Sequence, residues 1–281
     1  TRLNEEPLES RSSWCARVED AADKCQAGHL KKVVLARSSR LRCPSGHRFS
    51  IAGTIEAMTT HGPGTHILAF KVGRQTMVAA TPETLFSLEN GRFETHALAG
   101  TIGRDANADE DAALGRTLME SPKDRAEHRM VIQAMIQGLQ PLAQTLVVDH
   151  QPKLKKLQTV QHLETGIVGE LHDDVDLLAV ISTLHPTPAL GGQPRGAALS
   201  WLESNEQMDR GWYGGFMGWM NPEGDGAAHV SIRCALVGED EATAFAGAGI
   251  VAQSNAEAEW TETEMKLGTI RSALRTSEQE R

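Results

Sequence analysis

The alternation of hydrophobic and polar positions changes its period several times along the chain, and each change marks a predicted element. Apolar residues recur at helical spacing in one set of segments, which predicts helices at residues 12–27, 50–60, 122–140, 174–184, 195–203 and 256–276. Short β-branched or alternating runs predict strands at residues 31–36, 66–71, 76–80, 84–88, 93–98, 145–148, 165–170, 213–220, 228–237 and 242–251. Because strands and helices do not alternate regularly, the pattern favours an α+β fold with antiparallel sheets over a doubly wound fold.

Local turn and capping residues support two of these elements. Asn90-Gly91 lies between two strand-like runs, which is typical of a tight hairpin. Ser121 precedes Pro122 and stands three residues before Asp124, a combination typical of a helix start.

Composition and charge narrow the function classes. The chain has 281 residues, of which 40% are hydrophobic, and a net charge of −9. The run Lys153-Lys155-Lys156 is too short for a nucleic-acid site, so we interpret it as a solvated loop and expect neither nucleic acid nor a membrane as a partner. The four cysteines form no CxxC pair, which favours free thiols in the cytoplasm. We expect a monomer and a single domain over residues 1–281.

The segment Gly247-Ala248-Gly249-Ile250-Val251-Ala252 matches the spacing GxGxxA of dinucleotide-binding loops. A dinucleotide site needs a helix directly after the turn and a longer βαβ unit, whereas Gln253-Ser254-Asn255 intervenes here. We therefore interpret the segment as a strand whose glycines let a ligand approach backbone N–H groups, which can hold an anion.

Carboxylates on the last predicted helix are candidate metal ligands. Glu259 and Glu262 lie three residues apart on one face, and Lys266 lies one further turn along it. The spacing equally fits surface charge with a Glu262–Lys266 pair, and sequence alone leaves both interpretations open.

Glu127 stands out on the helix that begins after Ser121. It shares a face with Val131, Ala134 and Gly138, so we expect its side chain to point inward. A buried carboxylate needs a partner, and without Cys or His neighbours it favours a hard cation such as Mg²⁺. A buried ion pair with an arginine is the alternative.

Ten segments together resemble the chorismate-utilising enzymes, the family of isochorismate, salicylate, anthranilate and aminodeoxychorismate synthases. They occur in the family's order and cover nearly the whole chain. The segments are KVVLAR (32–37), TPETLF (81–86), LAGTIGR (98–104), SPKDRAEH (121–128), VQHL (160–163), LHPTPALGG (184–192), DRGWYGGFMGW (209–219), SIRCAL (231–236), FAGAGIV (245–251) and EWTETEMKL (259–267).

The resemblance implies a fold and an extent. Members have a large α/β sandwich of mainly antiparallel sheets flanked by helices, with the substrate in a central cleft, which agrees with the α+β prediction. They usually carry a further N-terminal segment before the region of KVVLAR, and we expect that segment to be absent from this sequence.

The resemblance also implies a reaction and its two catalytic residues. Members that add water or rearrange the ring have lysine where Lys32 stands, whereas ammonia users typically have another residue. Lys32 would take a proton from water attacking C2 of chorismate, and Glu83 would donate a proton to the departing C4 hydroxyl. A lysine amine acts as a base only where burial or positive charge favours its neutral form.

Further residues carry over by their positions in the matching segments. Mg²⁺ would bridge the ring carboxylate to Glu127 and Glu259, with Glu262 reaching it through water. The implied substrate-binding residues are Gly100 and Thr101 at the C4 hydroxyl, Arg233, Lys266, Gly247 and Gly249 at the carboxylates, and His162, Thr187, Leu190 and Tyr213 as walls.

Among lysine-bearing members, LHPTPALGG and DRGWYGGFMGW look most like isochorismate synthases, which serve menaquinone or siderophore pathways. Two alternatives stay open: a lyase that makes salicylate or an aminated product, and a chorismate-binding domain without catalysis.

Overall fold

The computed structural model describes residues 3–61, 64–157, 159–276 and 278–280. The fold is α+β, as the sequence predicts. The chain divides into two compact units. The first consists of residues 1–81, 190–214 and 231–281, and the second of residues 82–189 and 215–230. The prediction of a single catalytic domain over the whole chain stays a prediction.

The first unit is built on a seven-stranded antiparallel sheet. Its strands are β1 (Asn4–Pro7), β2 (Lys32–Arg42), β4 (His66–Val72), β5 (Gln75–Thr81), β11 (Gly192–Gln193), β14 (Cys234–Val237) and β15 (Glu241–Ile250). They follow the order β1-β2-β15-β14-β5-β4, and β11 pairs with the start of β2. The helices are α1 (Arg11–Gln26), α2 (Ile51–His61), α6 (Arg195–Asn205) and α7 (Ala256–Thr276), and β3 (His47–Phe49) pairs with β16 (Glu278–Glu280).

Strand alternation gives this sheet two different faces. Val33 and Leu35 of β2 belong to a buried apolar cluster with Trp14 of α1 and Leu202 of α6. Successive side chains of a strand point to opposite faces, so Lys32 lies on the face away from that cluster. Helices α1 and α6 therefore pack on one face of β2, and Lys32 lies buried on the other.

The second unit is also built on a seven-stranded antiparallel sheet. Its strands are β6 (Thr84–Glu89), β7 (Arg92–Gly103), β8 (Ala143–Val148), β9 (Lys153–Lys156), β10 (Val160–Leu171), β12 (Phe216–Met220) and β13 (Gly226–Val230). They follow the order β12-β13-β6-β7-β10-β8, and β9 also pairs with β10. The predicted hairpin at Asn90-Gly91 joins β6 to β7, and both residues have positive φ.

Three helices complete the second unit: α3 (Ala108–Glu120), α4 (Pro122–Leu139) and α5 (Leu177–Leu184). The start of α4 has the predicted cap, because Ser121 Oγ accepts a hydrogen bond of 3.2 Å from the backbone N–H of Asp124. No helix among the described residues is both long enough and apolar enough to cross a bilayer.

The structure corrects two predictions of this region. The lysine run at 153–156 is strand β9 and not a loop. Lys155 Nζ donates to Glu164 and Lys156 Nζ to Asp111, each at 2.8 Å, so ion pairs allow a charged segment to join the sheet. The strand predicted at 228–237 is two strands, because the chain turns at Arg233, whose φ is 50°.

Candidate active site

Lys32 is the first residue of β2, and its side chain is almost fully buried, with 1% of its surface exposed. The neighbouring strand β15 places Gly249 beside Val34 and Gly247 beside Ala36. Because glycine has no side chain, β15 projects no side chain from these two positions onto the face that carries Lys32. The close approach of a ligand to these glycines stays a prediction.

Tyr213 lies beside Gly247 on this unit. A Cβ added to Gly247 would meet the Tyr213 hydroxyl at 2.6 Å, so the position has no room for a side chain. The Tyr213 ring stacks on Phe245 of β15 with 5.5 Å between ring centroids. Burial raises the pKa of Tyr213 well above its usual range, so its hydroxyl stays protonated and can donate.

The first turns of α7 carry the predicted carboxylates of this unit. Asn255 caps the helix by accepting from the N–H of Ala258 at 3.0 Å. Glu259 follows in the first turn, where the helix dipole favours a negative charge, and only 3% of its surface is exposed. Glu259 is thus a buried carboxylate and not the surface charge that its sequence spacing equally allowed.

Lys266 joins α7 to the glycine strand. Its Nζ donates to the carbonyl oxygen of Gly247 at 2.9 Å, and it forms an ion pair with Glu262 at 2.5 Å. The i,i+4 pair predicted from spacing is therefore present. A lysine ammonium has three N–H donors, and these two contacts use two of them.

Leu190 and Arg233 complete the predicted residues of the first unit, and both side chains are buried. The neighbouring Gly192 has φ of 133° and lies against the backbone of β2, where a Cβ would meet the carbonyl oxygen of Lys32 at 2.3 Å. Only glycine fits this position, which explains the second glycine of LHPTPALGG in physical terms.

The second unit brings three predicted residues together around a bulge. His162 of β10 faces Thr101 of β7, and the register shifts directly after this pair. The Nδ1 atom of His162 lies 3.1 Å from the Thr101 hydroxyl and 3.1 Å from the carbonyl oxygen of Gly100. Gly100 has φ of 76°, a conformation that glycine adopts without steric cost.

Glu83 and Thr187 are the other buried polar residues predicted in this unit. Glu83 precedes β6, and its carbonyl oxygen accepts from the N–H of Val230 at 3.0 Å. Thr187 follows α5 with 2% exposure, and its hydroxyl has no hydrogen-bond partner among the described residues. Such a hydroxyl is suited to a polar ligand, because burial without a partner costs free energy.

The burial of Glu127 is intermediate and not complete, so the prediction that it points inward is met only in part. The buried face of α4 consists of His128, Val131, Met135 and Leu139, and Glu127 lies at its border as a half-buried residue. The helical repeat places His128, one residue later, on the core face, where its Nε2 lies 2.7 Å from the Thr165 hydroxyl. Glu127 is thus partly accessible, and its role as a metal ligand stays a prediction.

The metal ligands that the resemblance implies are all glutamates. No group of three or more His, Cys, Asp or Glu side chains placed to hold a metal ion occurs in the described part of the chain. The chemistry of the predicted set nevertheless suits Mg²⁺, because Glu259, Glu262 and Glu127 all offer carboxylate oxygens. The buried Glu259 carboxylate is also the kind of group that a cation stabilises.

Two residues outside the predicted set contact the backbone of β2, and one of them also contacts the predicted residue Leu190. Arg210 donates to the carbonyl oxygens of Leu190 and Val34, and Glu206 accepts from the backbone N–H of Ala36. Their spacing of four residues was the only sequence feature that could have indicated a pair.

A model of the chorismate binding enzyme family matches residues 1–275. The chain belongs to this family. The family that the sequence resemblance implied is therefore confirmed.

The chain is also similar to individual members of this family. The chain is 40% identical over 266 residues to the salicylate biosynthesis isochorismate synthase of Pseudomonas aeruginosa, covering 95% of this chain and 55% of the relative. The crystal structure of DhbC from Bacillus anthracis matches with a TM-score of 0.93 and 31% identity, over 98% of this chain and 75% of the other.

The menaquinone-specific isochorismate synthase MenF of Escherichia coli matches with a TM-score of 0.89 and 29% identity, over 98% of this chain and 63% of the other. The chain spans about half the length of the curated relatives that it matches first, at 55% and 56% of their lengths.

Proposed function

We propose that this chain converts chorismate to isochorismate in a Mg²⁺-dependent isomerisation. The observation that carries the proposal is the buried Lys32 on β2, the strand paired with the glycine-bearing β15, in a member of the chorismate binding enzyme family. The relatives described above that are named isochorismate synthases support the same reaction. Lysine at this position indicates water, and not ammonia, as the nucleophile.

The proposed reaction has one base and one acid. Lys32 removes a proton from water as the water oxygen bonds to C2 of the ring. The ring double bonds shift, and the C4–O bond breaks while Glu83 donates a proton to the departing hydroxyl, which leaves as water. One water enters and one leaves, so the product is an isomer of the substrate. General acid and general base each contribute roughly 10²–10⁴-fold in rate.

The proposed binding residues neutralise an anionic substrate in a chain of net charge −9. Lys266 and Arg233 supply positive charge, and the N–H groups near Gly247 and Gly249 supply donors to the carboxylates. The proposed contacts of the ring substituents are Gly100, Thr101, His162, Thr187, Leu190 and Tyr213. Tyr213 can donate because burial keeps its hydroxyl protonated.

Mg²⁺, when bound, would supply a cation that offsets the charge of the substrate carboxylate. The proposed ligands are Glu259 and Glu127, with Glu262 through water. Because Glu262 is paired with Lys266, one proposed metal ligand and one proposed substrate donor are joined within helix α7. A monomer in the cytoplasm is the proposed working form, which light scattering and cell fractionation would examine.

One experiment tests the activity. The protein is incubated with chorismate and Mg²⁺, with and without ammonium, and the products are identified by mass and retention time. Isochorismate with no dependence on ammonium supports the proposal. Salicylate or anthranilate with pyruvate would identify a lyase, and chorismate binding without turnover would identify a binding domain; either result overturns the proposal.

A further inference from the structure

The edge of β2 has a gap between its two strand partners. β11 pairs with Lys32 and Val33, and β1 pairs with β2 only from Ser39 onward. Among the described residues no strand covers positions 34–38 on this edge. The N–H of Val34 still donates to Gly191 at 3.0 Å, and the carbonyl of Ser38 accepts from Leu8 at 3.1 Å. The carbonyl of Val34 and the N–H of Ala36 lie between these contacts.

A side-chain ion pair satisfies these two backbone groups. Arg210 donates from Nη2 to the Val34 carbonyl at 2.6 Å, and Glu206 Oε2 accepts from the Ala36 N–H at 2.9 Å. Arg210 and Glu206 are joined by two hydrogen bonds of 2.5 and 2.8 Å. The pair thus supplies one acceptor and one donor in the gap, which are the groups a neighbouring strand would supply.

The same guanidinium reaches two walls of the proposed site. Arg210 Nη1 donates to the carbonyl of Leu190 at 3.0 Å, and its guanidinium carbon lies 5.8 Å from the centre of the Tyr213 ring. The Glu206 side chain is 5% exposed and that of Arg210 is 22% exposed, so solvent competes little for these bonds. Lysine could not make them together, because its ammonium lacks the planar fork of donors.

We propose that Arg210, oriented by Glu206, is a positioning residue for Lys32. The pair fixes the edge of the strand that carries the proposed base, and it ties that edge to Leu190 and Tyr213. The catalytic part of this inference rests on the proposed function, whereas the effect on the environment of Lys32 does not. Without the pair, the start of β2 loosens and Lys32 becomes accessible.

The first test measures that accessibility without using activity. The full chain is treated with an amine-reactive reagent, and labelling rates of Lys32 and Lys31 are measured by mass spectrometry. Lys31 is exposed and serves as an internal standard. We expect Arg210→Lys and Glu206→Gln to raise the Lys32/Lys31 labelling ratio at least tenfold. Arg271→Lys is the matched control, because Arg271 is also an ion-paired arginine of this unit and its side chain is only 12% exposed. This variant should leave the ratio unchanged.

The second test uses turnover of chorismate with Mg²⁺ over a range of pH. We expect Arg210→Lys and Glu206→Gln to lower kcat at least 30-fold, to change KM less than threefold and to shift the limb of the pH profile that reports the base. Arg271→Lys should retain the parent profile. A merely structural role would lower the melting temperature without shifting the pH profile.

The outcomes separate the inference from the proposed function. If the parent does not convert chorismate, the proposed function fails, but the labelling ratio still decides whether the pair controls Lys32. An unchanged ratio in folded Arg210→Lys overturns the inference. If that variant does not fold, Glu206→Gln, which keeps the side-chain size, decides alone: a raised ratio supports the inference and an unchanged ratio overturns it.

Discussion

Gly192 lies against the carbonyl oxygen of Lys32 so closely that an added Cβ would be 2.3 Å from that oxygen. We therefore expect Gly192→Ala to destabilise the fold by roughly 2 kcal/mol or more, since it adds a clash to an unfavourable φ. The melting temperature should fall by roughly 4 °C or more. Gly196→Ala is the matched control, because no atom lies within 4 Å of its added Cβ and Gly196 is helical. An unchanged melting temperature for Gly192→Ala would contradict the geometry.

Lys32→Ala removes the proposed base from the glycine-lined face. We expect the rate of isochorismate formation to fall roughly 10²–10⁴-fold, because water then loses its proton acceptor. Chorismate affinity, measured by calorimetry, should change little, since the proposed carboxylate contacts belong to other residues. Lys31→Ala, one position away on the exposed side, should keep the parent rate. Parent-like turnover by Lys32→Ala would remove this lysine from the mechanism.

Glu259→Gln tests the proposed metal role. Replacing the buried carboxylate by an amide should raise the Mg²⁺ concentration needed for half-maximal activity by roughly tenfold or more, as loss of a ligand interaction does. Direct Mg²⁺ binding, followed by calorimetry, should weaken in parallel. Glu257→Gln is the control, because Glu257 is exposed in the same turn and pairs with Arg11 at the surface. Identical metal titrations for the two variants would exclude Glu259 as a ligand.

The two buried thiols make the free energy of unfolding depend on pH in the alkaline range. Burial raises the pKa of Cys234 to about 12 and that of Cys25 to about 11, from the ordinary 9.0. Above pH 9 the unfolded chain releases these protons while the folded chain keeps them, so the free energy of unfolding falls as pH rises. The free energy of unfolding should keep falling until the pH reaches the pKa of Cys25 in the folded chain. The decrease should be smaller in Cys25→Ala.

Unfolding with urea at pH 8.0 to 10.5 measures this dependence. Above pH 9 we expect each thiol to lower the free energy of unfolding by roughly 1.4 kcal/mol per pH unit. Alkylation at pH 8 gives a second measure. Cys25 and Cys234 should resist labelling in the folded chain and react after unfolding. Rapid labelling of Cys234 in the folded chain would show that it is accessible, contrary to its complete burial.

Elements with a strong local pattern were predictable from the sequence. Helix α7 was predicted at its observed bounds, and α4 differed by one residue at its end, because capping and apolar periodicity agree in both. Helix α3 was missed, since its sequence is rich in acidic residues and only Leu118 and two small or charged positions are buried. Strand β9 was missed because the ion pairs that stabilise it come from distant residues.

The site was predictable mainly through the family resemblance. Lys32 and Glu83 carry no local pattern that indicates acid or base chemistry, and their burial depends on how the whole sheet packs. Spacing did predict the Glu262–Lys266 pair, which is a contact within one helix. It could not predict the proposed role of Arg210, because its contacts with Leu190 and Val34 join chain segments that come together only in the folded unit.

The pairing of β2 with β15 has a consequence for the newly made protein on the ribosome. Val33 and Ile250 are neighbours in the sheet, yet more than 200 residues separate them in the chain. At a synthesis rate of ~5–20 residues per second, the apolar start of β2 waits ~10–40 seconds for its central partner. Residues 82–189 of the second unit emerge during that interval. The apolar segment VVLA next to Lys32 therefore stays without its central strand partner until translation reaches β15.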